Sequence, residues 1–257
     1  MKRLSFIVTL MLLTGCHSTN QATMTMRTTE QTDPEFMAIQ NNFVENELNA
    51  VNVLTPLQKH ISLITALAVQ QSFPQLKRQV RLAIDDGIAP LTIRESLYVA
   101  APFTGFPKIE NALVAVNEVF VEKGIVLPLP SQAQSSNESR YQAGLAIQLP
   151  IYGNEIKNAF ADLPAPYNQK LPAYLTELLF GDFYSRSAID NRTRELVALI
   201  TLATLGAEKQ LASHARGNLI VGNTKPEMIG ALVYCLPVLG FPAVFNAING
   251  VRNIDID

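Results

Sequence analysis

The chain has 257 residues, 48% of them hydrophobic and 16% charged, enough to bury one large or two small globular cores. Its formal charge of −2 provides no basic field, which argues against a nucleic-acid partner.

The N-terminus reads as a targeting segment. Lys2 and Arg3 precede an apolar run from Leu4 to Leu13, and Leu13-Thr14-Gly15-Cys16 matches the small-residue boundary of a bacterial lipoprotein, with Cys16 as the acylated residue. The apolar run is too short to span a bilayer. Removing residues 1–15 takes away Lys2 and Arg3 and leaves 18 basic against 22 acidic side chains. The predicted product is exported and anchored by lipid, facing the periplasm. Residues 16–34 are polar and Thr-rich without periodicity, as in a flexible tether. With Cys16 acylated, Cys235 has no partner, so no intrachain disulfide is expected.

The rest of the chain contains one helical unit twice. Sliding residues 55–119 onto 190–254, a constant shift of 135, gives 14 identities in 65 positions; unrelated chains of this composition would give about four. Gln75-Leu76 falls on Gln210-Leu211, Arg81 on Arg216, Gly87 on Gly222, and Pro102 to Pro107 on Pro237 to Pro242.

The expected division is a first repeat over 35–127, a linker with a connecting helix over 128–150, and a second repeat over 151–257. In the first repeat Thr55-Pro56 starts a helix as N-cap and N1. The linker is rich in Pro, Ser and Gln, and Tyr141 to Gln148 is helix-like. In the second repeat Asp190 caps a helix whose Leu196, Leu199, Ile200 and Ala203 recur at helical spacing until Gly206. A second helix is predicted from about Lys209 to Val221, stopped by Gly222-Asn223, and a third from Pro226 to a break at Pro237. A fourth, after the Pro-x-x-Gly-Phe-Pro turn, carries Val244, Phe245, Ile248 and Val251. Met228 to Phe245 is uncharged, but its counterpart in the first repeat holds Arg94, Glu95, Lys108 and Glu110, so a buried core or oligomer face is expected there, not a membrane span.

Three second-repeat segments, D-N-R-T-R-E-L-V-A-L-I-T-L-A-T (Asp190 to Thr204), Q-L-A-S-H-A-R-G-N-L-I-V-G-N (Gln210 to Asn223) and L-P-V-L-G-F-P-A-V-F-N-A-I-N (Leu236 to Asn249), together with F-G-D-F-Y-S-R (Phe180 to Arg186), resemble carboxymuconolactone decarboxylase-like proteins, of the superfamily that includes alkyl hydroperoxidase D. The resemblance covers nearly all of 36–254. It implies an all-α fold of two tandem helical bundles forming a pseudo-symmetric pair, and a homo-oligomer built as a trimer of two-repeat chains.

Hydroperoxidase-type members use a Cys-x-x-Cys pair before a histidine, with a glutamate on the preceding helix. Here the glutamate and histidine positions fall on Glu195 and His214. The cysteine positions fall on Ala207 and Gln210, and on Ser72 and Gln75 in the first repeat, so no thiolate nucleophile is available there. Decarboxylating members need no metal or organic cofactor, and none is expected. Glu195 and His214 are the expected catalytic pair for proton transfer, on a small carboxylate- or lactone-bearing substrate. Arg192, Arg194 and Arg216 are candidates to grip carboxylates, with Tyr184 and Arg186 behind them. The opposing readings are a structural histidine, a Glu195 ion pair with Arg192 or Arg216, and surface ion pairs for the arginines. In the first repeat His60 stands at the glutamate position and Gln79 at the histidine position, so no site is expected there. His60 and His214 make a poor metal ligand set, and no metal is expected. The competing functions are a peroxide-defence protein relying on Cys235, and a non-catalytic oligomeric binding module in which Glu195 and His214 stand too far apart or too open to cooperate.

Overall fold

The computed structural model describes residues 28–51 and 53–254; the lipobox with Cys16, and most of the tether, lie outside them. The chain divides into two compact units at Gln40/Asn41. In the first unit, α1 (Thr29–Thr32) is already helical where a tether was expected, and after one residue comes α2 (Pro34–Asn41), all of it but Asn41 in this unit. All regular structure among the described residues is helical.

The second unit opens with a π-helical segment, π1 (Asn42–Glu47), and α3 (Leu48–Ala50). The first bundle is α4 (Pro56–Val69), α5 (Phe73–Asp85), α6 (Pro90–Thr104) and α7 (Phe106–Glu122). After the linker come α8 (Arg140–Tyr152), α9 (Glu155–Asn158) and α10 (Tyr167–Tyr174), which runs into π2 (Leu175–Tyr184). The second bundle is α11 (Asn191–Leu205), α12 (Glu208–Ile220), α13 (Lys225–Tyr234), α14 (Leu236–Leu239) and α15 (Phe241–Arg252). The sequence repeat is a structural one: α11, α12, α13 and α15 begin 135 residues after α4, α5, α6 and α7.

Local chemistry fixes these boundaries. Thr55 Oγ1 accepts the Gln58 N–H at 3.3 Å, and Asp190 Oδ1 accepts the Thr193 N–H at 2.9 Å, each cap being worth about 1 kcal/mol. Gly87 and Gly222, at φ +83° and +93°, end α5 and α12 in matching Schellman turns, with Ile88 N–H on Ala83 O and Asn223 N–H on Asn218 O, both 2.8 Å. One boundary differs from expectation. α6 runs through Pro102 without interruption, whereas its counterpart breaks at Cys235, two residues before the expected Pro237, which sits in the first turn of α14.

Each bundle has its own apolar core. Ile64, Leu76, Ile93, Leu97, Val116 and Phe120 anchor the first; Leu199, Ile200, Leu211, Met228, Leu232 and Val251 anchor the second. Fully burying one such side chain is worth roughly 1.5–3 kcal/mol. Phe245 is 56% exposed, because α15 turns Val244, Ala247 and Val251 to the core and leaves Phe241 and Phe245 outside. The uncharged stretch from Met228 contributes to the core through Met228, Ala231, Leu232 and Cys235. Among the described residues no helix is long and apolar enough to cross a membrane.

The bundles meet where α11 packs on α4 and α6, and a third cluster seals that seam: Ile61 and Val99 from the first repeat, Val197 from the second, and Ile151, Tyr152, Leu179, Phe180 and Tyr184 from the segments between. The linker is pinned there too. Buried Glu95 on α6 accepts from Arg94 at 2.8 Å and from Arg186 at 2.6 Å, while Arg94 also donates to the Leu129 and Pro130 carbonyls at 3.0 and 2.8 Å.

The connecting helix is longer than expected. α8 runs to Tyr152 and crosses the predicted 150/151 division, so its last turn belongs with the second bundle. It lies against π2 at a crossing that admits no side chain on either helix. A Cβ on Gly144 would stand well inside contact distance of the Thr176 carbonyl oxygen, and one on Gly181 would meet the Arg140 carbonyl. Gly144→Ala must therefore lift α8 from π2. Its expected cost is about 1–3 kcal/mol of stability, read as a lower urea midpoint; an unchanged midpoint would show that the crossing does not depend on glycine.

Candidate active site

The site is assembled from α8, α11 and α12, with α6 of the first repeat as its wall. Glu195 lies one turn into α11 and is completely buried. His214 on α12 faces it, Nδ1 to Oε2 2.8 Å, and keeps 9% of its side chain exposed. A third group, absent from the sequence expectation, completes the cluster. Tyr152, the last residue of α8, places its hydroxyl 2.7 Å from Glu195 Oε2 and 2.7 Å from His214 Nδ1.

Three atoms in mutual contact must share their protons in a definite way. Burial, followed by the Glu195 charge, drives the Tyr152 pKa far above its ordinary value, so Tyr152 remains a phenol and donates to Oε2. The imidazole then places its Nδ1 proton between Oε2 and the phenol oxygen. In neutral His214 this leaves Nε2 as a bare lone pair. Nε2 has no partner among the described residues and is not sealed from solvent. Phe103 from α6 packs edge-on against the imidazole, with centroids 5.2 Å apart, so the first repeat shapes the site without supplying a polar group to the triad.

The backbone beneath is held by a polar network. Asn218, fully buried one turn after His214, donates to the carbonyls of both Glu195 and His214 at 2.8 Å, and Asn223 donates to Asn218 Oδ1 at 2.7 Å. α11 and α12 are thus locked in register at the level of Glu195 and His214. Gly217, in the middle of α12, supplies the room: a Cβ there would stand 2.6 Å from the Tyr152 hydroxyl and 2.8 Å from Glu195 Oε2.

The arginines go elsewhere. Arg192 reaches Glu227 at 3.1 Å and Asn223 at 3.3 Å, lining a cleft of about 190 Å³ at the N-terminal ends of α4 and α11; neither Glu195 nor His214 lines that cleft. Arg194 is buried and donates to the Arg186 carbonyl and to Asn191 Oδ1. Arg216 pairs with Glu155 at 3.3 Å on the surface. The alternative of a Glu195 ion pair with Arg192 or Arg216 is overturned, since the partners of Glu195 are His214 and Tyr152. Tyr184 is buried behind the site, and Arg186 is committed to Glu95. No group of residues suited to a metal occurs among the described residues.

In the first repeat the equivalent place is filled differently. Gln79 Nε2 lies 2.9 Å from His60 Nδ1, and His60 Nε2 lies 2.8 Å from Asp86 Oδ2, so both ring nitrogens are occupied. The Asn218–Asn223 positions hold Ala83 and Ile88, and Gly217 is matched by Leu82. The polar network belongs to the second repeat.

Sequence reasoning found Glu195 and His214 and missed Tyr152, which lies outside the repeat alignment and 43 and 62 residues from its partners. Gly217 was detectable as a glycine in the interior of a predicted helix. Gly217→Ala is expected to expel the Tyr152 hydroxyl from the triad while leaving the helices intact. The check is a shifted His214 imidazole signal in NMR beside an unchanged far-UV circular dichroism spectrum; an unmoved signal would show that the triad tolerates the methyl group.

Comparison with known proteins agrees with this architecture. The model of the carboxymuconolactone decarboxylase family matches twice, over residues 34–118 and 169–252. The chain is also similar to 4-carboxymuconolactone decarboxylase of Acinetobacter baylyi (strain ATCC 33305 / BD413 / ADP1), with 29% identity over 108 residues, 42% of this chain and 81% of the relative. The two matched regions carry the two helical bundles, the second of them with Glu195 and His214, and the chain belongs to the carboxymuconolactone decarboxylase family.

Proposed function

We propose that the protein is a cofactor-free enzyme of decarboxylase type, acting by proton transfer on a small carboxylate- or lactone-bearing molecule at the second repeat. The observation that carries this reading is the geometry at Glu195 Oε2, where Tyr152 and His214 converge at 2.7 and 2.8 Å and leave His214 Nε2 without a hydrogen bond among the described residues. Loss of carbon dioxide from an activated carboxylate leaves an enolate or dienolate that must receive a proton at carbon. Protonated His214 delivers that proton from Nε2, and the Glu195 carboxylate stabilises the imidazolium before transfer. Tyr152 fixes the ring and its tautomer.

Of the three arginines expected from the sequence, Arg192 is tied to Glu227 and Asn223 and Arg194 to Asn191 and the Arg186 carbonyl, so substrate carboxylate binding is assigned to Arg216. Arg216 is the best placed, because its partner Glu155 lies within electrostatic reach of Tyr152. The decarboxylase relative makes carboxylated lactones the first substrates to test.

Two alternatives fare worse. A peroxide-defence role would rest on Cys235, but that thiol is completely buried and its pKa is pushed well up by burial, the reverse of a reactive thiolate. A non-catalytic module would have the pair apart or open, whereas Glu195 is sealed and bonded to His214.

The test is turnover of carboxylated lactones and keto acids, followed by carbon dioxide release. His214→Gln and Glu195→Gln are each expected to lose about 10²–10⁴-fold in kcat/KM with the fold retained. Full activity in His214→Gln would sink the mechanism.

The same reading makes the protein an exported lipoprotein, supported by the charge, apolar run and Cys16 of its first 16 residues. Cys16→Ser should move the protein from the membrane fraction to the soluble fraction of cells; unchanged membrane association would refute anchoring through that cysteine.

A further inference from the structure

The triad accounts for one oxygen of Glu195 and leaves the other over. Glu195 Oε1 is fully buried and has no hydrogen-bond partner among the described residues. A buried carboxylate oxygen left in that condition is costly, and natural structures seldom tolerate it. Two further buried atoms of the second repeat lack partners: Tyr184 Oη, at the end of π2, and Arg194 Nε, on the residue preceding Glu195. The Tyr184 hydroxyl lies within electrostatic reach of both the Glu195 carboxylate and the Arg194 guanidinium, without closing a well-formed hydrogen bond to either. Tyr184 also lies in the same seam cluster as Tyr152 and Val197, its ring 5.2 Å from that of Phe180.

Donor and acceptor types match along this row. Arg194 Nε–H can only donate, the phenol both accepts and donates, and the carboxylate can only accept. Small side-chain adjustments would satisfy all three atoms in one chain, from Nε–H to phenol oxygen and from phenol O–H to Oε1. The nearby charges agree. Arg194 is fixed by the Arg186 carbonyl and Asn191, and Glu95 on α6 lies within its electrostatic reach.

We propose that Tyr184 is a positioning residue of the active site, donating its phenolic proton to Glu195 Oε1 with Arg194 behind it. This rests on the proton-transfer reading above. Glu195 would then hold three donors, Tyr152 and His214 on Oε2 and Tyr184 on Oε1, in a closed network that sets the strength of its bond to His214. Arg194 serves this row and not the substrate.

The test is Tyr184→Phe in the full chain, which removes one oxygen and keeps the ring. If the hydroxyl is merely an unsatisfied core atom, its removal relieves a desolvation cost and the urea midpoint rises. If it supports Glu195, the midpoint falls, and the fall disappears or reverses in a Glu195→Met background, where the acceptor is gone. The second readout is the His214 Nδ1 proton in ¹H–¹⁵N NMR. Loss of one donor makes the remaining carboxylate bonds stronger, so that resonance is expected to move downfield. With a turned-over substrate, kcat should drop while KM holds, because Tyr184 touches no substrate. A raised midpoint, or a lowered one with an unmoved Nδ1 signal, would overturn the proposal. Neither the midpoint nor the NMR readout needs a substrate, so they decide the role of Tyr184 even if no lactone or keto acid is turned over.

Discussion

A carboxylate with no exposed surface is the constraint around which the second repeat is arranged. Burying an ionised glutamate without partners would cost several kcal/mol. The structure meets that cost locally, with a phenol and an imidazole on one oxygen of Glu195 at 2.7 and 2.8 Å. Each partner must itself be delivered there. Tyr152 arrives because α8 crosses π2 through Gly144 and Gly181, and His214 arrives because Asn218 ties α12 to the carbonyl of Glu195. Gly217 leaves the space in which the three side chains meet. Glycines scattered over more than seventy residues thus serve one buried charge.

The first repeat shows what the fold does without that charge. The same four helices form at the same spacing, yet His60 takes the place of Glu195 and is bound at both nitrogens by Gln79 and Asp86. Ala83 and Ile88 replace the two asparagines, so apolar packing does there what hydrogen bonds do in the second repeat. Even the turn after the first helix is preserved under a changed residue. Gln71 adopts φ +61° where the second repeat has Gly206, and its amide bonds to the Ala68 and Lys108 carbonyls hold it in a conformation that glycine adopts freely. In this chain the helical architecture survives exchanges that remove the Glu195–His214–Tyr152 triad. The first repeat keeps a share in the site all the same, since Phe103 on α6 walls the His214 ring and α4 and α6 bury α11.

The polar groups outside the triad are divided between roles. Arg94, Arg186 and Glu95 fasten the linker and the loop before α11 across the seam, and Arg192 with Glu227 and Asn223 secures the entrance to α11. These contacts explain why arginines that look suited to substrate carboxylates are placed away from His214. Guanidinium serves equally well as a multidentate tie for backbone carbonyls in a short loop. Sequence spacing cannot separate the two uses.

The sequence by itself determined the helical class, the repeat and its constant offset, the caps at Thr55 and Asp190, and the candidacy of Glu195 and His214. All but the last are written in local periodicity or in the comparison of two aligned segments, and the candidacy of the pair came with the family resemblance. The helix break at Cys235, the exposure of Phe245, and the destinations of the arginines were decided by packing among elements distant in the chain. Tyr152 entered the site only through the folded structure. It has no aligned counterpart, and its two partners lie 43 and 62 residues away on other helices. A pattern of neighbours can mark a residue as able to carry a proton; only the crossing of three helices determines which proton it shares.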